Sequence, residues 1–250
     1  MKIGLMVFLA NERENNSKRS YETIRAIAQQ AETDSFDSLW LPDHFLYRYP
    51  GQPTRGIWEC WTMLSALAEA THRVELGTLV ACNSFRHPAI LAKMATTLDE
   101  VSQGRLILGL GAGWNEPEYQ AFGLPFDHRV GRFEEALLIL QHLLHDGHVD
   151  FAGQYYQARD CEILPRGPRP EGPPLMVGCE RGSPRMLKLT AKYADRAIWA
   201  NLKRWSSQSP KSERRARQSG ATRPRLASRL SSASGSPIFS QTNRVSSKIH

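Results

Sequence analysis

Apolar residues along the first 200 positions fall into two alternating patterns. Short, nearly unbroken runs occur at residues 2–9 (KIGLMVFL), 38–41 (SLWL), 74–80 (VELGTLV), 105–111 (RLILGLG) and 174–178 (PLMVG). Their length and branched side chains predict strands, and the run at 105–111 reads as one buried on both faces. Between the runs, apolar positions recur every three or four residues, the spacing of a helix with one buried stripe. Tyr21, Ile24, Ala28 and Ala31 form the first stripe, behind a capping Ser20, and Trp61, Leu64, Leu67 and Ala68 form the second. Ile90, Leu91, Met94, Leu98 and Val101 form the third, opened by Pro88 and stopped by Gly104, and Phe133, Leu137, Leu140 and Leu144 form the fourth. Residues 184–193 predict a fifth helix and 195–200 a sixth strand. Strict alternation of strand and helix implies right-handed crossovers and an all-parallel sheet, either doubly wound or closed as a barrel.

After Ala200 neither period continues. Residues 201–250 contain 13 serines and 11 Lys/Arg against one acid, Glu213, for a net +10, whereas residues 1–200 hold 21 basic and 24 acidic groups, net −3. The overall charge of +7 therefore belongs to the tail, and a basic surface for nucleic acid is not a property of the first 200 residues. Within the tail only Trp205 and Phe239 could stack on bases, a sparse supply. The chain divides into a folded portion, 1–200, and a Ser/Arg-rich tail, 201–250, which is expected to be disordered or the product of a shifted reading frame. The longest apolar stretch, residues 106–114, has nine residues where a membrane span needs about twenty, and the N-terminal run lacks a small-residue cleavage site. A cytoplasmic protein with no membrane contact is expected. Cys60, Cys82, Cys161 and Cys179 are widely spaced, which disfavours both a zinc site and a disulfide framework.

In parallel strand-helix folds, ligands sit at the carboxyl ends of strands, so chemistry is sought just after each run. Asp43-His44 follows the second, a carboxylate beside an imidazole that either caps a loop or serves proton transfer near neutral pH. Gly109, Gly111 and Gly113 lack the third glycine of a dinucleotide turn and run into Trp114 and Pro117, taken here to limit a helix. Such glycines more often admit another backbone or a flat ligand, on which Trp114 could stack. Gly178-Cys179-Glu180-Arg181-Gly182-Ser183 precedes a helix and offers backbone N–H groups and a guanidinium to a phosphate. His142, His145 and His148 repeat at three-residue spacing, but Gly147 interrupts the helix before the third, so they read as solvated helix-end residues.

Three blocks, DSLWLPDHF (37–45), residues 74–126 around NSFRHP and GLGAGWNEPEY, and PLMVGCERGSPRMLKLTAKYAD (174–195), resemble the bacterial luciferase-like superfamily. The resemblance implies a TIM (β/α)8 barrel, of which about six strands are readable, so that the chain reads as an incomplete barrel with a disordered basic tail. It implies an FMN or coenzyme F420 cofactor, a small-molecule substrate, and the oxidoreductase and monooxygenase activities of that superfamily. By position, Asp43 and His44 would lie beside the cofactor ring, with His44 the acid/base. Leu79-Val80-Ala81 would form the bulge, often with a non-proline cis peptide, that backs the ring. Asn83, Trp114 and Asn115 would line the cleft, and Gly178 to Ser183 would meet the phosphate. Ser35 stands where the family usually has glycine. A hydride-transferring oxidoreductase, homodimeric or not, is the first expectation. An FMN-dependent monooxygenase resembling alkanesulfonate monooxygenase is the second, and an inactive truncated barrel with open strand edges, or a nucleic-acid binder acting through the tail, is the third.

Overall fold

The computed structural model describes residues 2–12, 15–180, 183–200 and 238–240. In chain order the elements are β1 (Ile3–Met6), α1 (Tyr21–Thr33), β2 (Ser38–Leu41), β3 (Leu46–Tyr47), β4 (Arg55–Gly56), α2 (Cys60–Ala70), β5 (Glu75–Thr78), β6 (Ala81–Cys82), a 3₁₀ turn (Asn83–Phe85) and α3 (Pro88–Val101). Then follow β7 (Leu106–Gly111), α4 (Glu116–Ala121), α5 (Arg129–His145), β8 (His148–Ala152), β9 (Gln157–Glu162), β10 (Leu175–Glu180), α6 (Pro184–Tyr193), β11 (Arg196–Ala200) and β12 (Ile238–Ser240). The main sheet runs β11-β10-β7-β5-β2-β1-β12, with β6 also on β7, and all pairings are parallel except that of β12. Parallel strands neighbour each other in chain order without a reversal, which is the order of a barrel and not of a doubly wound sheet. The sheet is also curled. Glu75 at the foot of β5 receives Arg196 from β11 at 3.2 Å and Lys2, just before β1, at 3.0 Å, so strands far apart in the sheet meet across its inner side.

Strand register sorts the side chains. Leu5, Leu39, Leu76 and Leu106 form one row across β1, β2, β5 and β7, and Leu39, Leu76 and Leu106 lie in the apolar layer beneath the helices. The next row, Met6, Trp40, Gly77 and Ile107, points inward, because successive residues of a strand alternate faces. Trp40 packs there with Ile107, Met176, Leu79 and Val80. Its indole needs the absent side chain of Gly77, where a Cβ would lie 2.3 Å from the ring.

Several expectations are corrected. The run at 74–80 is not one strand: the Leu79–Val80 peptide is cis, and β5 and β6 lie on either side of it. Pro117 does not limit a helix but sits in the first turn of α4, where its missing N–H has no intrahelical acceptor to lose. The hairpins β3–β4 and β8–β9 are additions that the periodicity did not reveal, since short ribbons of mixed polarity carry little pattern. Of the Ser/Arg-rich tail, residues 201–237 and 241–250 lie outside the described residues. Ile238–Ser240 is not patternless chain but a short strand, antiparallel to β1, where Ile238 and Phe239 supply two strand-favouring residues.

Candidate active site

The carboxyl ends of β2, β6 and β7 bring together most of the expected residues. Asp43, fully buried, is clamped by Arg86: Nη1 donates to Oδ2 at 2.7 Å and Nη2 to Oδ1 at 3.1 Å, while the Cys82 N–H also donates to Oδ2 at 3.0 Å. Arg86 Nη2 further donates to Glu59 Oε1 at 2.5 Å, and Glu59 caps α2 by accepting the N–H groups of Trp61 and Thr62. Burial pushes the Asp43 carboxyl up from its ordinary value, an effect that the Arg86 charge opposes. Asp43 is therefore a tie between β2, β6 and α2. It does not orient His44.

That task falls to Glu118, which the motif reading missed. Glu118 is fully buried on α4, its Oε1 lies 2.6 Å from His44 Nδ1, and its Oε2 accepts the Phe45 N–H at 3.0 Å. Asn115 Nδ2 donates both to Glu118 Oε1 and to the Leu46 carbonyl, 3.1 Å away. Asn115 is thus buried and spent on the scaffold instead of lining open space. With Nδ1 facing a carboxylate, the His44 ring carries its proton there, and Nε2 is left for other chemistry. The side chain is 16% exposed and lies beside Tyr47 (4.8 Å) and edge-on to Trp114 (5.6 Å), which is 51% exposed. No pattern in NEPEY distinguished Glu118 from Glu116; only the fold, by placing α4 against the β2 loop, selects it.

The glycines of β7 make room for protein. A Cβ on Gly109 would fall 2.0 Å from the Thr78 carbonyl oxygen, and one on Gly111 would fall 2.7 Å from Val80 Cγ2. They accept the chain where it turns at Leu79–Val80, and Thr78 Oγ1 donates to the Gly109 carbonyl at 2.6 Å. Leu79 and Val80 are half-buried, whereas Ala81 is wholly inside the core. Cys82 Sγ lies 3.0 Å from Tyr119 Oη, and burial pushes the thiol up to about 12, so it is a neutral packing group and no nucleophile. Asn83 is completely buried; its Nδ2 donates to Tyr156 Oη at 3.3 Å and its Oδ1 has no partner among the described residues.

Around the expected phosphate loop the picture is partial. Gly178 and Cys179 lie in β10 with Cys179 buried in the core, and Glu180 ends that strand. Ser183 caps α6 by accepting the Met186 N–H at 3.4 Å. Arg181 and Gly182 lie outside the described residues.

The model of the luciferase-like monooxygenase family matches residues 1–239. The chain belongs to that family. The match extends past residue 200, beyond the last motif that resembled it. Among curated relatives, a pyrimidine monooxygenase RutA of Yersinia enterocolitica is 32% identical over 210 residues, covering 78% of this chain and 55% of that protein. An F420-dependent glucose-6-phosphate dehydrogenase of Amycolatopsis mediterranei is 36% identical over 177 residues, covering 68% and 49%. Among solved structures, an F420-dependent secondary alcohol dehydrogenase in complex with an F420-acetone adduct superposes with a TM-score of 0.67 at 26% identity, covering 89% of this chain and 66% of that one. The chain thus spans about half the length of these curated relatives.

Proposed function

We propose that this chain is a luciferase-like oxidoreductase in which His44 moves a proton while hydride passes between a flavin-type cofactor and a small organic substrate. The observation that carries this reading is the His44–Glu118 pair at the strand ends, with Nδ1 engaged at 2.6 Å and Nε2 not used in the scaffold by any of the described residues. The residues fit such a cofactor. The unpartnered, buried Asn83 Oδ1 calls for a hydrogen-bond donor from a ligand, and half-buried Leu79 and Val80 offer apolar surface at the same strand end. Leu79, Val80, Asn83 and Trp114 would hold the ring, and the stretch Gly178 to Ser183, opening α6, its phosphate. When bound, FMN or F420 supplies the hydride chemistry. In substrate oxidation, His44 Nε2 takes the substrate hydroxyl proton as the C–H hydride leaves; in reduction, it returns that proton to the oxygen. Glu118 holds the imidazole in the required tautomer throughout. The cytoplasm is the proposed location, in keeping with four cysteines of which none forms a disulfide.

Oxygen-dependent monooxygenation is the second reading, favoured by the pyrimidine monooxygenase relatives that match 78% of the chain. Titration with FMN and with F420, followed by absorbance, separates the two. With the productive cofactor, His44→Ala is expected to lower turnover by about 10²- to 10⁴-fold and to leave cofactor affinity within a few-fold. Undiminished turnover overturns the assignment.

A further inference from the structure

The β8–β9 hairpin lies outside the barrel sheet, between α5 and β10, yet one of its residues reaches the strand ends. Its turn is pinned to α5 by a single carboxylate. Glu135 Oε1 accepts the N–H of Gln154 at 2.8 Å, and Oε2 accepts those of Tyr155 at 2.9 Å and Tyr156 at 3.0 Å. Gly131, one turn earlier on α5, leaves the space that the Tyr155 ring fills, since a Cβ there would lie 2.9 Å from it. So fixed, Tyr156 sets its ring edge-on to His87 at 5.5 Å and its phenol oxygen against Asn83 Nδ2 at 3.3 Å. Burial pushes the Tyr156 phenol up, so it stays a neutral hydroxyl across the physiological range.

The consequence falls on Asn83. Its carboxamide is held by one end and buried throughout, and its carbonyl oxygen has no partner among the described residues. An unpaired buried acceptor is unfavourable unless something donates to it in the working state. Asn83 follows Ala81–Cys82 directly, within four residues of Leu79 and Val80.

We infer that Tyr156, carried by the β8–β9 hairpin, is a positioning residue that presents the Asn83 carbonyl to a neutral N–H or O–H donor of the bound cofactor. This rests on the flavin-type reading above. The free atom is an acceptor, so it selects a donor and gives no welcome to phosphate oxygen. A flavin or deazaflavin offers such donors in two places, the ring imide N–H and the hydroxyls of its ribityl arm.

The test uses the whole chain and equilibrium binding of FMN and F420, read by fluorescence and by the cofactor-induced rise in Tm. Asn83→Ala is expected to weaken binding at least tenfold. Tyr156→Phe keeps the ring and its packing, removes only the phenol oxygen, and is expected to weaken binding about three- to tenfold. Both should shrink the cofactor-induced Tm rise, whereas a merely structural role for Tyr156 would lower the Tm without cofactor and leave affinity unchanged. Lumiflavin, which keeps the imide and lacks the arm, locates the donor: a loss shared with lumiflavin puts it on the ring, and a loss confined to FMN puts it on the arm, either of which supports the inference. Wild-type affinity in both variants overturns it while leaving the proposed function standing. A wild-type chain that binds neither cofactor overturns both.

Discussion

The two ends of the sheet use charge differently. At the amino ends of the strands, charged side chains terminate mostly on the main chain, the pairing of Glu75 with Lys2 and Arg196 apart. Asp37 and Asp195, each just before a strand, accept the first N–H of the preceding one, Ile3 at 2.6 Å and Leu175 at 2.8 Å. Arg105 donates to the carbonyls of Ala68, Thr71, Val74 and Ser102, and Arg169 joins Asp99 to the Leu106 carbonyl. Glu32 accepts the N–H groups of His72, Arg73 and Val74. At the carboxyl ends, charges mostly hold other side chains: Arg86 grips Asp43 and Glu59, and Glu118 aims His44. One end fixes strand register. The other fixes the orientation of groups that still have an unused atom, as His44 Nε2 and Asn83 Oδ1 do, and this is where barrel enzymes carry chemistry.

The comparison breaks most readily at Asp43, which sits among the functional residues but is placed as a structural tie. Asp43→Ala leaves Arg86 charged and buried with half its partners. A loss of about 3–5 kcal/mol is expected, roughly 6–20 °C in Tm. Replacing Asp43 and Arg86 together by leucine should recover part of that loss, since it leaves no charge fully buried: Glu59 loses Arg86 but is partly exposed and keeps the N–H groups of Trp61 and Thr62. An unchanged melt for Asp43→Ala would dissolve the distinction between clamp and acid/base pair.

How much of this was readable in advance follows the same division. Six parallel strands and five of the helices were legible, because a buried run and a one-sided stripe are properties of consecutive residues. The position of His44 was legible as a strand end. What holds it was not: Glu118 lies 74 residues away in the chain, and no local pattern links the two. Asp43 misled because adjacency in sequence suggested contact, whereas the two side chains meet different partners, Arg86 for Asp43 and Glu118 for His44. Gly109 and Gly111 allowed two readings, and the backbone turn at Leu79–Val80, which decides between them, is invisible to periodicity.

A smaller effect sharpens the account of the amino end. Ser35, between α1 and β2, adopts φ +64°, in the left-handed region where a side chain costs roughly 1–2 kcal/mol and glycine costs little. Glycine's greater loss of backbone freedom offsets part of this. Ser35→Gly should therefore stabilise by about 1 kcal/mol, raising Tm by about 2–4 °C with no change in cofactor affinity. A fall in Tm would mean that this turn is held by something other than local backbone preference.

The smallest expected effect concerns Glu32. Burial works against its charge, but the backbone N–H groups of Arg73, Val74 and His72 outweigh that and hold its carboxyl below the usual value of 4.5. A carboxyl whose folded value is depressed stabilises the protein fully above its unfolded value and ceases to do so as pH falls through the folded one. Glu32→Gln keeps an oxygen that accepts from the three N–H groups and loses only the charge. The variant should melt slightly below wild type at pH 7, by about 1–2 °C, since solvent screening reduces the extra strength of hydrogen bonds to a charged acceptor. From about pH 5 downward the wild-type advantage should shrink, and it should vanish below the lowered folded value, where Glu32 is itself neutral. Melts of both proteins from pH 7 to 3 decide it: a gap that stays constant with pH would show that the carboxylate's charge does not hold the start of β5, and that the amino end is fixed by hydrogen-bond geometry alone.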